Sequence, residues 1–97
     1  MGILVKIHKG SSEIVAICDK ELLGKVFSDG KYELKVSEHF YNGEELNEDK
    51  IEKIMKESNN LNIVGENSIN LALKLKMIKE ENIINIGEVK HAQAVTL

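Results

Sequence analysis

Thiols, imidazoles and grouped carboxylates are the side chains with which this chain could do chemistry, and the first two are scarce. Cys18 is its one cysteine, and His8, His39 and His91 are its histidines. A thiol just ahead of a helix can have a depressed pKa and act as a nucleophile. Here Asp19 follows the cysteine directly and Glu21 lies within the same turn, and both charges oppose a thiolate. No histidine is close in sequence to serve as its base. Cys18 therefore reads as a small apolar core residue. The cysteine and histidines show neither Cys-x-x-Cys nor His-Glu-x-x-His spacing, so no metal site and no cofactor are expected.

The stretch "SEHFYNGEE" gathers Glu38, His39, Tyr41, Glu44 and Glu45. A histidine titrating near neutrality beside carboxylates can shuttle protons. No nucleophile accompanies the set, and the glycines form neither Gly-x-Gly-x-x-Gly nor a phosphate-binding loop ending in Gly-Lys-Ser/Thr. Its aromatic pair, Phe40 and Tyr41, reads as the anchor of a loop. Gly65-Glu66-Asn67-Ser68, between a strand and a helix, offers amides to an anion, but Glu66 opposes one and a tight turn is the simpler reading. His91 and Gln93 are alternate residues of a strand pattern, so both project from one face. Imidazole beside amide suits recognition of a base edge or a peptide group. Lys31 and Lys35 are the candidate basic contacts, with Glu33 between them. Alternation turns Tyr32 inward, which leaves Tyr41 as the ring available for stacking.

These residues must be carried by elements that the apolar pattern outlines. "ILVKIHK" alternates, with Ile3, Val5 and Ile7 inward and Lys6 and His8 toward water, and "EIVAIC" is apolar throughout. Together they predict a hairpin with a buried second strand. Asp19 is then placed to cap a helix carrying Leu22, Leu23, Val26 and Phe27, which ends at Ser28-Asp29-Gly30. "KYELKVSE" predicts a strand with Tyr32, Leu34 and Val36 inward, followed by a loop with an Asn-Gly turn. Asn47 caps a second helix with Ile51, Ile54 and Met55 on its core face. "LNIVG" is a short strand, and a third helix from about Asn67 carries Ile69, Ala72, Leu73 and Met77, reaching Ile78. "NIINIGEVKHAQAV" closes the chain as one bent strand, or two, around Gly87. This order predicts an α+β two-layer sandwich: about three helices on a mixed or mainly antiparallel sheet, with residues 1–97 forming a single domain.

Composition narrows the function. All 13 basic residues are lysines, so the bidentate fork that reads phosphates and guanine edges is missing. Sixteen acidic residues leave a net charge of −3, which gives no general attraction to DNA. No apolar run approaches the roughly 20 residues that span a bilayer, and an opening with no basic start, its few apolar residues interrupted by Lys6 and His8, reads as a mature beginning. A lone cysteine fits a reducing compartment, so the cytoplasm is the expected location.

With "AICDKELLGKVF", "VSEHFYNGEEL", "NIVGE" and "IGEVKHAQ" in view, the chain resembles the small archaeal proteins grouped as domain of unknown function 424. The match runs from Lys6 to about Gln93. The resemblance implies a stand-alone cytosolic archaeal protein and brings no activity, cofactor or residue role with it. A domain without a nucleophile–base pair, metal motif or phosphate loop is expected to bind rather than to catalyse. The expected function is therefore a non-catalytic binding or adaptor module for a protein or ribonucleoprotein partner, with a link to translation or RNA processing suggested by the archaeal context alone. Its tentative contacts are His91, Gln93, His39, Tyr41, Lys31 and Lys35. The alternative is a small enzyme using Cys18 or His39.

Overall fold

A six-stranded mixed sheet organises the computed structural model, which describes residues 2–96. Strands β1 (Ile3–His8) and β2 (Ile14–Asp19) form the expected antiparallel hairpin at its centre. Strand β6 (Asn60–Val64) lies parallel to β2, and β8 (Val89–Val95) pairs antiparallel with β6. The edges are β5 (Glu44–Glu45) beside β1 and β7 (Ile83–Ile86) beside β8. The parallel β2–β6 pair makes the sheet mixed, and the segment after Asn82 is two strands folded about Gly87.

Alternation along the central strands supplies two apolar faces. Val5, Val15, Ile17, Leu61, Ile63 and Ala92 point to the first face, where helices α2 (Glu48–Glu57) and α3 (Glu66–Lys74) close over them. Asn47 caps α2 as its position predicts, its Oδ1 accepting from the Lys50 amide at 3.0 Å, and Ile51 and Met55 are sealed beneath. Helix α3 stops earlier than the run to Ile78 suggests. Lys76 takes a left-handed conformation at φ 60°, and the amides of Lys76 and Met77 turn back to the carbonyls of Leu73 and Ala72. Those two bonds satisfy carbonyls that the helix end would leave open.

The second face differs most from expectation. Leu4, Ala16, Cys18 and Val64 point there, under a layer that sequence spacing assigns to other structure. Residues Lys20–Leu22 make only one tight turn, and Val26–Ser28 form β3, paired antiparallel with β4 (Glu33–Lys35). Gly24 at φ 84° breaks the helical path, and the Asp29 carboxylate accepts from the amides of Lys31 and Tyr32, folding a hairpin. Leu34 and Val36 are buried as alternation predicts, whereas Tyr32 lies beyond the end of β4 and is 49% exposed. The expected loop before Asn42 contains one turn of helix, α1 (Glu38–Tyr41), capped by Ser37.

Candidate functional site

The α1 turn is seated by side chains that alternation directs toward water. The Lys6 ammonium donates to the His39 carbonyl at 2.7 Å, and His8 Nε2 lies 2.8 Å from the Phe40 carbonyl. The His8 ring stacks on Phe40 with centroids 4.6 Å apart. Alternation places Lys6 and His8 on the correct side, but that side is the second face and both are half-buried. Ile7, expected inward, is 42% exposed.

Tyr41 is thereby pressed into the second face, where its hydroxyl donates to Asn62 Oδ1. Asn62 is the one polar residue inside the run Leu61–Val64. The same oxygen lies 3.2 Å from His91 Nε2. An amide oxygen only accepts, so the neutral imidazole carries its proton on Nε2 and keeps Nδ1 as an acceptor. Burial lowers the His91 pKa from its ordinary value, which holds the ring uncharged at neutral pH. Burial first, and the neighbouring Cys18 second, raise the Tyr41 phenol, so it remains a donor. Strand pairing sets Gln93 directly beside Asn62, exposed. A shallow cavity of about 250 Å³ opens next to it, lined by Asn82, Ile84, His91, Ala92 and Gln93.

Three of the six sequence-chosen residues thus share one patch: Tyr41, His91 and Gln93. The other three stand apart from it. His39 is exposed on α1 and engages through its carbonyl. Lys31 sits 5.4 Å from the Tyr32 ring centroid, and Lys35 lies 3.8 Å from Glu33, both on the β3–β4 hairpin. Asn62, which joins the patch together, was missed; its signal was a lone polar side chain within an apolar strand.

Cys18 is fully enclosed in the second core, and its thiol is pushed up to about 12, by burial first and by Asp19 second. It has neither access nor thiolate character. Asp19 does not cap the turn that follows it. Its carboxylate reaches across the sheet end to the N-terminus of α3, accepting from the amides of Asn67 at 3.0 Å and Ser68 at 2.8 Å and from the Ser68 hydroxyl at 2.7 Å. Gly65 permits this approach, since a Cβ there would lie 2.4 Å from Asp19 Cγ at a backbone φ of 108°. The amides that an external anion would use are therefore held by the chain's own carboxylate. Among the described residues, no cluster of three or more His, Cys, Asp or Glu side chains is placed to hold a metal ion. Among the same residues, no helix is long and apolar enough to cross a membrane.

These features define a small α+β protein with one sheet face covered by two helices and one that is half open, with neutral polar side chains at Asn62, His91 and Gln93. The chain belongs to the family described as Protein of unknown function (DUF424), whose profile matches residues 8–97. Its fold is similar to that in the crystal structure of an uncharacterized conserved protein from Methanopyrus kandleri, at 27% identity and a TM-score of 0.80, covering 100% of this chain and 95% of that one. Among curated proteins none matches.

Proposed function

We propose that the chain is a non-catalytic binding module, one cytoplasmic domain that docks a protein or ribonucleoprotein partner on the open half of its second sheet face. The observation that carries this reading is the Asn62 amide, held between the Tyr41 hydroxyl and His91 and flanked by exposed Gln93. Donors and acceptors fixed in advance lose little freedom on binding. They are also neutral, which suits peptide groups or base edges better than phosphates. A protein surface is thus the favoured contact, with any RNA held by the partner. The enzyme alternative gains no support from the geometry, because the Cys18 thiol is enclosed and the His39 ring is separate from the patch.

The test compares wild type with the His91→Ala/Gln93→Ala double variant in affinity capture from the native lysate, with and without ribonuclease. Both side chains are at least partly exposed, so the variant is expected to fold normally. A partner recovered by wild type and lost from the variant supports the reading. Resistance of that partner to ribonuclease marks a protein contact. An unchanged partner profile overturns the proposed surface.

A further inference from the structure

In the turn between α1 and β5 a reactive dipeptide meets a tight constraint. Asn42-Gly43 is the only Asn-Gly pair in the chain, and it is the whole connection from Tyr41, the end of α1, to Glu44, the start of β5. Both elements are fixed to β1. Lys6 and His8 hold the His39 and Phe40 carbonyls of α1, and Glu44 and Glu45 pair with Val5 and Leu4. Gly43 packs so closely on β1 that a Cβ there would overlap the Val5 carbonyl, while Asn42 is exposed. An asparagine before glycine is prone to attack on its own carboxamide, because no side chain shields the following backbone nitrogen. The Gly43 nitrogen bonds to Asn42 Cγ, ammonia leaves carrying the amide proton, and a five-membered succinimide results. Water then opens the ring at either carbonyl, giving aspartate or isoaspartate with no change of oxidation state.

The folded turn blocks the first of these steps. Ring closure needs the Gly43 nitrogen eclipsed with Asn42 Cβ about the Cα–C bond. With φ −78° and ψ 87° at Asn42, that nitrogen lies nearly opposite Cβ instead. The Gly43 amide also donates to the Tyr41 carbonyl at 2.9 Å. We infer that Asn42-Gly43 is a site of covalent self-modification guarded by α1: inert while the turn is seated on β1, deamidated once it opens, and then unable to hold α1 in place. The last part follows from chain length. In isoaspartate the backbone runs through Cβ and Cγ and is one atom longer. A two-residue connection pinned at both ends, with Gly43 against the Val5 carbonyl, has no room for that atom. Tyr41 then loses its seat, and its hydroxyl loses its hold on Asn62. None of this requires a partner at the open face.

The test ages the full chain in mildly alkaline buffer and reads residue 42 by peptide mass and by enzymatic methylation of isoaspartate. Wild type unfolded in urea is expected to deamidate at Asn42 at least about tenfold faster than folded wild type. Ser37→Ala removes the cap of α1 at an exposed position, so the variant folds, and it should raise the folded-state rate about fivefold, the equilibrium weight of one cap. Asn47→Ala removes the equivalent cap from α2 and should stay within about twofold of wild type. The separated isoaspartate form should lose exchange protection at the Tyr41 and Asn42 amides, which donate to the Ser37 and Glu38 carbonyls. Asn42→Asp, which adds the charge without the longer backbone, should keep that protection. Equal rates in the folded and unfolded chain, or no change in Ser37→Ala, overturn the guard. So does equal acceleration by Asn47→Ala, which would place the opening in the whole fold. An isoaspartate form as protected as wild type, or an Asn42→Asp variant as unprotected as the isoaspartate form, overturns the lasting loss of α1.

Discussion

Neighbouring residues of one strand, Asn62 and Ile63, face opposite sides of the sheet and live under opposite rules. Ile63 is fully enclosed with Val15, Ile17, Ile51, Met55 and Ile69, in a face that two helices seal. Asn62 lies on the other face, where Ala16, Cys18 and Val64 are covered but the layer above ends at Tyr41. Around Ile63 the first face serves stability, because α2 and α3 cover it there, while cavities open only at its margins, beside Ile51 and Leu71 and beside Val5 and Ile54. On the second, burial declines from Cys18 through His91 to Gln93, and polar groups appear as cover is withdrawn.

Truncating isoleucines on the two faces tests this division most strongly. Ile63→Ala removes enclosed methyl groups and leaves a cavity, and should cost roughly 3–4 kcal/mol in urea unfolding. Ile84→Ala, on the open face, should cost less than about 1 kcal/mol because its side chain is already half in water. Similar losses would mean that the second face is covered in solution and that the comparison fails.

Asp19 gives the next effect in size, at the end of the sheet where a charged group is buried in spite of the apolar surroundings. Asp19→Ala would leave the Asn67 and Ser68 amides and the Ser68 hydroxyl without their acceptor. A cost of about 2 kcal/mol is expected, from a lost helix cap and unsatisfied buried donors. Asp19→Asn keeps an oxygen toward Ser68 and should lose about half of that. Stability unchanged in both would show that the carboxylate does not tether α3 to β2.

The parts of the fold that depend on local pattern were legible. The β1–β2 alternation, the Asn47 cap and the apolar stripe of α2 each draw on residues within a few positions of one another. The missed parts depend on distant partners. Leu22, Leu23, Val26 and Phe27 are as compatible with a helix as with a turn and strand, and pairing of Phe27 with Leu34 decides between them. Asp19 was legible as a cap, but not as the cap of α3, because spacing along the chain does not say which helix end a parallel strand will approach. Alternation puts Lys6 and His8 on the face they occupy, but it carries no sign of α1, whose carbonyls are what both side chains meet there instead of water. At the candidate site, His91 and Gln93 followed from strand alternation. Tyr41 reads from sequence as a ring available for stacking, whereas the helical turn directs it inward as a buried hydrogen-bond donor.

The smallest expected effect lies at the boundary between covered and open, at His91, and it follows from the sign of one pKa shift. Burial lowers the pKa of His91 below its ordinary value of 6.5, so the imidazolium is less stable in the folded protein than in the unfolded chain. Above that value both states hold the ring neutral and its contribution does not vary with pH. As pH falls below it, the unfolded chain takes up the proton first, and stability is lost until the folded pKa is passed. His91→Gln retains a donor to Asn62 and removes the titration, while Asp29 and Glu45, whose pKa values are lowered by hydrogen bonds and by Lys20, titrate alike in both proteins. The stability difference between wild type and His91→Gln, measured near pH 7.5 and again near pH 5.5, should therefore shift against wild type at the lower value. A difference that stays constant would place His91 in water, with no shelter from the second face. A shift in wild type's favour would mean that a carboxylate reaches the ring, and the patch would then be a charged site rather than a neutral one.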